Sequence, residues 1–167
     1  MNIEVNFNNL TKEEQEQLNA LVEKANKPKS KVWKPEIGER FYYIMSNDTT
    51  IDYFAWRGDA TDEAHYTIGN CFKTREEAEF ALERLKVIAE MKRYIAEHDD
   101  VKLDWNDCEQ SKYYLVYNHY TVFIDCLSSS AIQSVERGLC ASKGSILSDM
   151  LGKIGEDRIK KYYFGVE

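Results

Sequence analysis

Apolar and polar positions change period several times along this chain. Ile3, Val5 and Phe7 alternate with Asn2, Glu4 and Asn6, the period of two expected of a strand with one buried face. Leu18, Leu21, Val22 and Ala25 then recur at helical spacing behind Thr11 and Glu14, a T-x-x-E capping box, which predicts a helix over about 12–25. Two aromatic and β-branched runs, 40–46 and 50–57, flank the turn-forming Asn47 and Asp48 and predict a hairpin. "AHYTIGNCF", about 64–72, reads as a third strand, with Gly69 as a bulge where the chain turns. A second capping box, Thr74 with Glu77, then opens a run of Ala78, Ala81, Leu85, Ile88 and Ile95, a helix over about 75–97.

This pattern repeats. Displaced by 71, Tyr42, Tyr43, Ile44 and Asn47 fall on Tyr113, Tyr114, Leu115 and Asn118, and Thr50 and Ile51 on Thr121 and Val122. Displaced by 69, Gly69, Cys71, Leu82 and Leu85 fall on Gly138, Cys140, Leu151 and Ile154. The economical account is an α+β fold of two degenerate β-β-β-α modules, each an antiparallel sheet covered by a helix, preceded by a strand and an amphipathic helix. The expected organisation is an N-terminal strand, helix and lysine-rich linker over 1–31, a first module over 32–98, an acidic connector over 99–110, and a second module over 111–167. "GEDRIKKYYFGVE" predicts a short final helix from Glu156 to about Tyr162, with acids at its start, lysines at its end and an aromatic terminus that docks on the body.

Composition narrows the classes. A chain of 167 residues, 43% hydrophobic with eleven tyrosines and two prolines, can bury a core. "MNIEVNFNNLTKEEQ" lacks a basic region followed by an apolar run, and no window reaches the roughly 18 apolar residues of a membrane span, so a cytosolic protein is expected. Cys71, Cys108, Cys126 and Cys140 form no C-x-x-C pair, which fits reduced thiols better than a zinc knuckle. No G-x-S-x-G, G-x-G-x-x-G or Walker motif is present, and His65, His98 and His119 sit in contexts that suggest no catalytic triad. No enzyme activity, metal or cofactor is therefore expected.

The net charge of −7 is uneven, with 15 acids against 8 bases over residues 51–110, which disfavours broad duplex binding. "HDDVKLDWNDCE" packs Asp99, Asp100, Asp104, Asp107 and Glu109 around Lys102, without the spacing or central glycine of a calcium loop. A solvated connector is the plain reading. The sharper one is that these carboxylates, with Asp59, Asp62 and Glu63, imitate a run of phosphates for a basic partner, Trp105 serving as an aromatic anchor. Trp56, in a strand, reads as core. The alternative is nucleic-acid contact through Lys27, Lys29, Lys31 and Lys34, with bases stacking on the tyrosine-rich sheets. A third reading is capture of a small nucleotide messenger in a groove between the modules.

"WKPEIGERFYYIMSNDTTIDYFAWRGD" followed by "GNCFKTREEAEFALERLKVIAEMKRYIAEH" resembles a set of small phage and prophage accessory proteins with a W-x-P-x-x-G-E entry and a G-N-x-F-x-T-x-E-E-A-E junction. The resemblance covers about 32–98, is weaker over 153–166, and is loose over 105–152. It implies a viral or mobile-element origin and, for some members, a role against host defence. The junction is also similar to the F-x-T-x-x-E-A element of integrase arm-type DNA-binding domains, which implies a three-stranded sheet with one helix. Together these give the expectation of a phage-encoded, non-enzymatic anti-defence protein that inhibits a host nuclease, a CRISPR effector above all. An open sheet edge offers a route to a homodimer.

Overall fold

The structure, a computed structural model, describes residues 9–26, 32–47, 49–130 and 137–166. The strand expected over 2–7 lies outside these residues. The chain divides into two compact units, residues 1–34 and 35–167.

In the first unit, α1 spans Lys12–Asn26. The Glu14 carboxylate accepts the Thr11 N–H at 2.8 Å, and Thr11 Oγ1 accepts the Glu14 N–H at 3.3 Å, the reciprocal box anticipated from T-x-x-E.

The second unit is α+β and contains both repeats. β1 (Arg40–Ile44) pairs antiparallel with β2 (Ile51–Ala55), and α2 (Ala60–Thr67) and α3 (Arg75–His98) follow. β3 (Lys112–Asn118) pairs with β4 (Phe123–Ser129), after which come a 3-10 turn (Arg137–Leu139), α4 (Gly144–Ile154), α5 (Glu156–Ile159) and a π-helical turn (Lys160–Phe164).

The third strand of each module contracts to a single bridge. Tyr42 and Phe72 exchange both backbone hydrogen bonds at 2.9 Å, and Tyr113 and Ala141 do so at 2.9 and 3.0 Å. Tyr42 and Tyr113 are 71 apart, while Phe72 and Ala141, like the helix starts Arg75 and Gly144, are 69 apart, so both displacements seen in the sequence are physical. The second strands do not follow the sequence alignment. Tyr42 faces Tyr53 but Tyr113 faces Ser128, a hairpin four residues longer, and Val122 lies in the turn rather than matching Ile51 in a strand.

Residues 64–72 are not a strand. Asp59 Oδ1 accepts the N–H groups of Thr61 and Asp62 at 3.0 and 3.1 Å and starts α2, so the Tyr66 and Ile68 alternation is overridden by a cap. Gly69 is the terminator of that helix rather than a bulge: its φ is 76°, and Gly69 and Asn70 N–H bond back to Tyr66 and His65 carbonyls at 3.1 and 2.8 Å. α2 covers the first sheet, with the His65 ring 4.7 Å from Tyr43, and Phe41, Tyr43 and Trp56 buried nearby.

α3 organises the rest. Its capping box forms as expected, Glu77 N–H donating to Thr74 Oγ1 at 3.2 Å and the Glu77 carboxylate accepting from Thr74 N–H at 3.3 Å. Val87, Met91 and Ile95 form one buried stripe against Leu115, Leu139, Ala141, Leu147, Met150 and Ile159. The aromatic tail docks on this core through Tyr162, Tyr163 and Phe164. Arg158 fixes it by a two-pronged pair with Glu90, at 2.5 and 3.1 Å.

Among the described residues two non-glycines, Thr49 and Val122, adopt positive φ, 57° and 62°. For β-branched Val122, 55% exposed, this conformation is strained with little packing in return. Val122→Gly is expected to raise stability by about 1 kcal/mol, the strain relieved exceeding the added chain entropy. A thermal melt checks it, and a lowered melting temperature would show that the turn tolerates valine without strain.

Candidate functional site

The acidic segment between α3 and β3 is a folded loop built around a lysine. Lys112, 4% exposed, donates from Nζ to the carbonyls of Asp107 and Gln110 at 2.6 and 2.9 Å and sits 5.8 Å from the centre of the Trp105 ring. An ammonium so buried must be hydrogen-bonded, and the loop closes on it to supply those acceptors. Asp104 and Asp107 turn the chain locally: Asp104 accepts Asn106 N–H at 2.9 Å, and Asp107 accepts Glu109 and Gln110 N–H at 2.8 and 3.2 Å. The Gln110 side chain accepts Asp104 N–H at 2.6 Å and ties the two turns together. The segment is therefore more ordered than a solvated connector.

Asp99 has a different task. Its carboxylate accepts both the N–H and the Oγ hydrogen of Ser142, each at 2.6 Å, and the N–H of Val101 at 3.1 Å. Burial works against its ionisation most strongly, yet the Ser142 and Val101 hydrogen bonds and the charge of Lys143 together hold its carboxyl below the usual value. In the first repeat the N–H of Lys73, the counterpart of Ser142, is accepted by Glu77 at 2.9 Å. α4 has no such residue and its N-cap, Lys143, makes no side-chain bond, so Asp99 does the work from the end of α3.

The expected partner-binding residues thus separate. Asp100, Asp104, Asp107 and Glu109 are exposed on one loop beside the half-buried Trp105. A groove of about 370 Å³ opens next to that ring, lined by Lys92, Ile95, Leu103 and Gly138. Asp59, Asp62 and Glu63 belong to the start of α2 instead. Asp62 is 2% exposed and its Oδ2 accepts Arg57 and Gly58 N–H at 2.6 and 3.0 Å, so it is a buried clamp of the β2–α2 turn and not a carboxylate presented to a partner. Asp59 caps α2 and pairs with Arg57 at 3.2 Å. Trp56 is core, 3% exposed. Lys27, Lys29 and Lys31 lie outside the described residues, while Lys34 is exposed.

Lys112 and Ser142, which organise the loop, were not legible as site residues. No periodicity marks Lys112, because alternation along β3 puts it on the face opposite Leu115, the other buried residue of that strand. Cys140 and His98 have structural surroundings: burial pushes the Cys140 thiol up to about 11, and His98 stacks on Tyr94 at 4.0 Å. No helix among the described residues is long and apolar enough to cross a membrane. No family model matches the chain, and neither a curated protein nor a solved structure matches it significantly.

Proposed function

We propose that the chain is a non-enzymatic inhibitor that docks the loop 99–110 onto a basic, nucleic-acid-handling protein of the host, in the setting of phage defence a CRISPR nuclease. The observation that supports this reading is the pre-organised loop: four exposed carboxylates, held by turns and by the buried Lys112 ammonium, beside an indole and an apolar groove. Fixed negative charge around an aromatic anchor is what a positively charged channel selects, since the charges steer encounter and the ring supplies desolvated contact. A rigid loop also spends less ordering entropy on binding than a disordered acidic tail. The resemblance of residues 32–98 to phage accessory proteins supports the defence setting.

The test leaves Asp99 intact, because that residue holds α4. Asp100→Asn, Asp104→Asn and Glu109→Gln combined are expected to weaken capture of the nuclease by about tenfold or more, mostly through slower association, and to flatten its salt dependence. Trp105→Ala should weaken it independently, through faster dissociation. Surface plasmon resonance on a purified CRISPR effector with and without its guide reads both. Unchanged association by the triple variant would overturn the phosphate-imitation reading.

A further inference from the structure

Away from the acidic loop, a cleft of about 540 Å³ is framed by Arg84, Leu115, Tyr117, His119, Tyr163 and Phe164. We propose that this cleft binds a small aromatic anion of the mononucleotide class, the base against the aromatic wall and the phosphate on Arg84. Independent of the loop reading, three observations carry this.

First, Arg84 stands where the buried stripe of α3 gives way to the cleft. Phe80, Arg84, Val87, Met91 and Ile95 recur at helical spacing on α3, and the last three of them are buried core. The guanidinium stands exposed at the mouth of the cleft, with no ion pair among the described residues, although its neighbour Glu83 pairs with Lys86 and Arg158. An exposed guanidinium at the mouth of an aromatic cleft, without an ion pair among the described residues, is suited to an anion that arrives from outside.

Second, the walls are aromatic and continuous. The His119 ring meets Tyr117 edge-on at 4.9 Å, Tyr117 lies 6.1 Å from Phe164, and Phe164 meets Tyr163 at 4.7 Å. Such a surface accepts a planar base by stacking, with little regard to its identity. Third, the sign of the lining is opposite to that of the molecule. The chain carries −7 overall, yet among the described residues the lining of the cleft holds one fixed charge, the Arg84 cation, and no acid. Its size suits a mononucleotide, and the mix of apolar walls with a few convergent polar groups is that of a small-molecule site.

The decisive experiment is calorimetric titration of the full chain with AMP, GMP, adenosine and inorganic phosphate. Saturable binding of the two nucleotides, tighter by about tenfold or more than adenosine or phosphate, is expected. Arg84→Leu should lower nucleotide affinity about ten- to hundredfold, to the level of adenosine, while leaving the thermal melt in place. Tyr117→Leu should weaken nucleotide and nucleoside alike. Failure of AMP and GMP to saturate, phosphate binding as tightly as the nucleotides, or wild-type nucleotide affinity in Arg84→Leu would each overturn the proposal.

Discussion

Truncating Leu147 to alanine is expected to cost about 3 kcal/mol and to melt both sheets together. Leu147 is fully buried on α4, where it and Met150 meet the Val87, Met91 and Ile95 stripe of α3. The loss combines the transfer free energy of the removed carbons with the cavity that close-packed neighbours fail to fill. Because α3 packs on both β1 and the second repeat's α4, a hole made in the second repeat loosens the helix that also supports the first. Far-ultraviolet circular dichroism and tryptophan fluorescence should therefore report one coincident transition, with Trp56 in the first repeat losing its environment as α4 melts. Two separated transitions would show that the repeats have independent cores.

Asp99→Asn is the second large effect, expected at about 2 kcal/mol, since the carboxylate carries charge-assisted hydrogen bonds from Ser142 N–H and Oγ. The substitution also has a pH signature. A carboxyl whose folded pKa lies below its unfolded value contributes its full stabilisation above the unfolded pKa and loses it as pH falls through the folded one. Wild-type stability should thus decline below about pH 4, and the decline should be shallower in Asp99→Asn. Denaturant midpoints measured from pH 7 down to pH 3 test this. Parallel profiles for the two proteins would mean that Asp99 is not the carboxylate responsible.

The legible parts of the fold were those with short-range physical causes. Both T-x-x-E capping boxes reflect contacts within a few residues and form as hydrogen bonds, and the displacements of 71 and 69 were legible because the two bridges, Tyr42–Phe72 and Tyr113–Ala141, rest on one local pattern written twice. α2 was missed although its signals were present in "GDATDE" and Gly69, because Tyr66 and Ile68 imitate strand alternation and the cap outweighs that preference. The site was less legible. That the acids of 99–109 sit on one loop follows from adjacency, but the role of Asp99 depends on Ser142, 43 residues away, and that of Asp62 on the Arg57 and Gly58 N–H groups presented by the β2–α2 turn. Arg84 was visible only as a charge on a helix until the fold brought Tyr117 and Phe164 to the cleft that it borders.

The bond from Asp99 to Ser142 changes what repetition means in this chain. Two copies of one unit can ordinarily be exchanged, lost or multiplied, because each carries its own parts. Here the first copy carries the capping carboxylate of its own helix, whereas the second has none and relies on a residue that follows the first copy's helix. The first copy in turn exposes the apolar stripe of that helix unless the second covers it. Each repeat completes the other, so the two halves fold as one unit and neither is a module that could be lifted out intact.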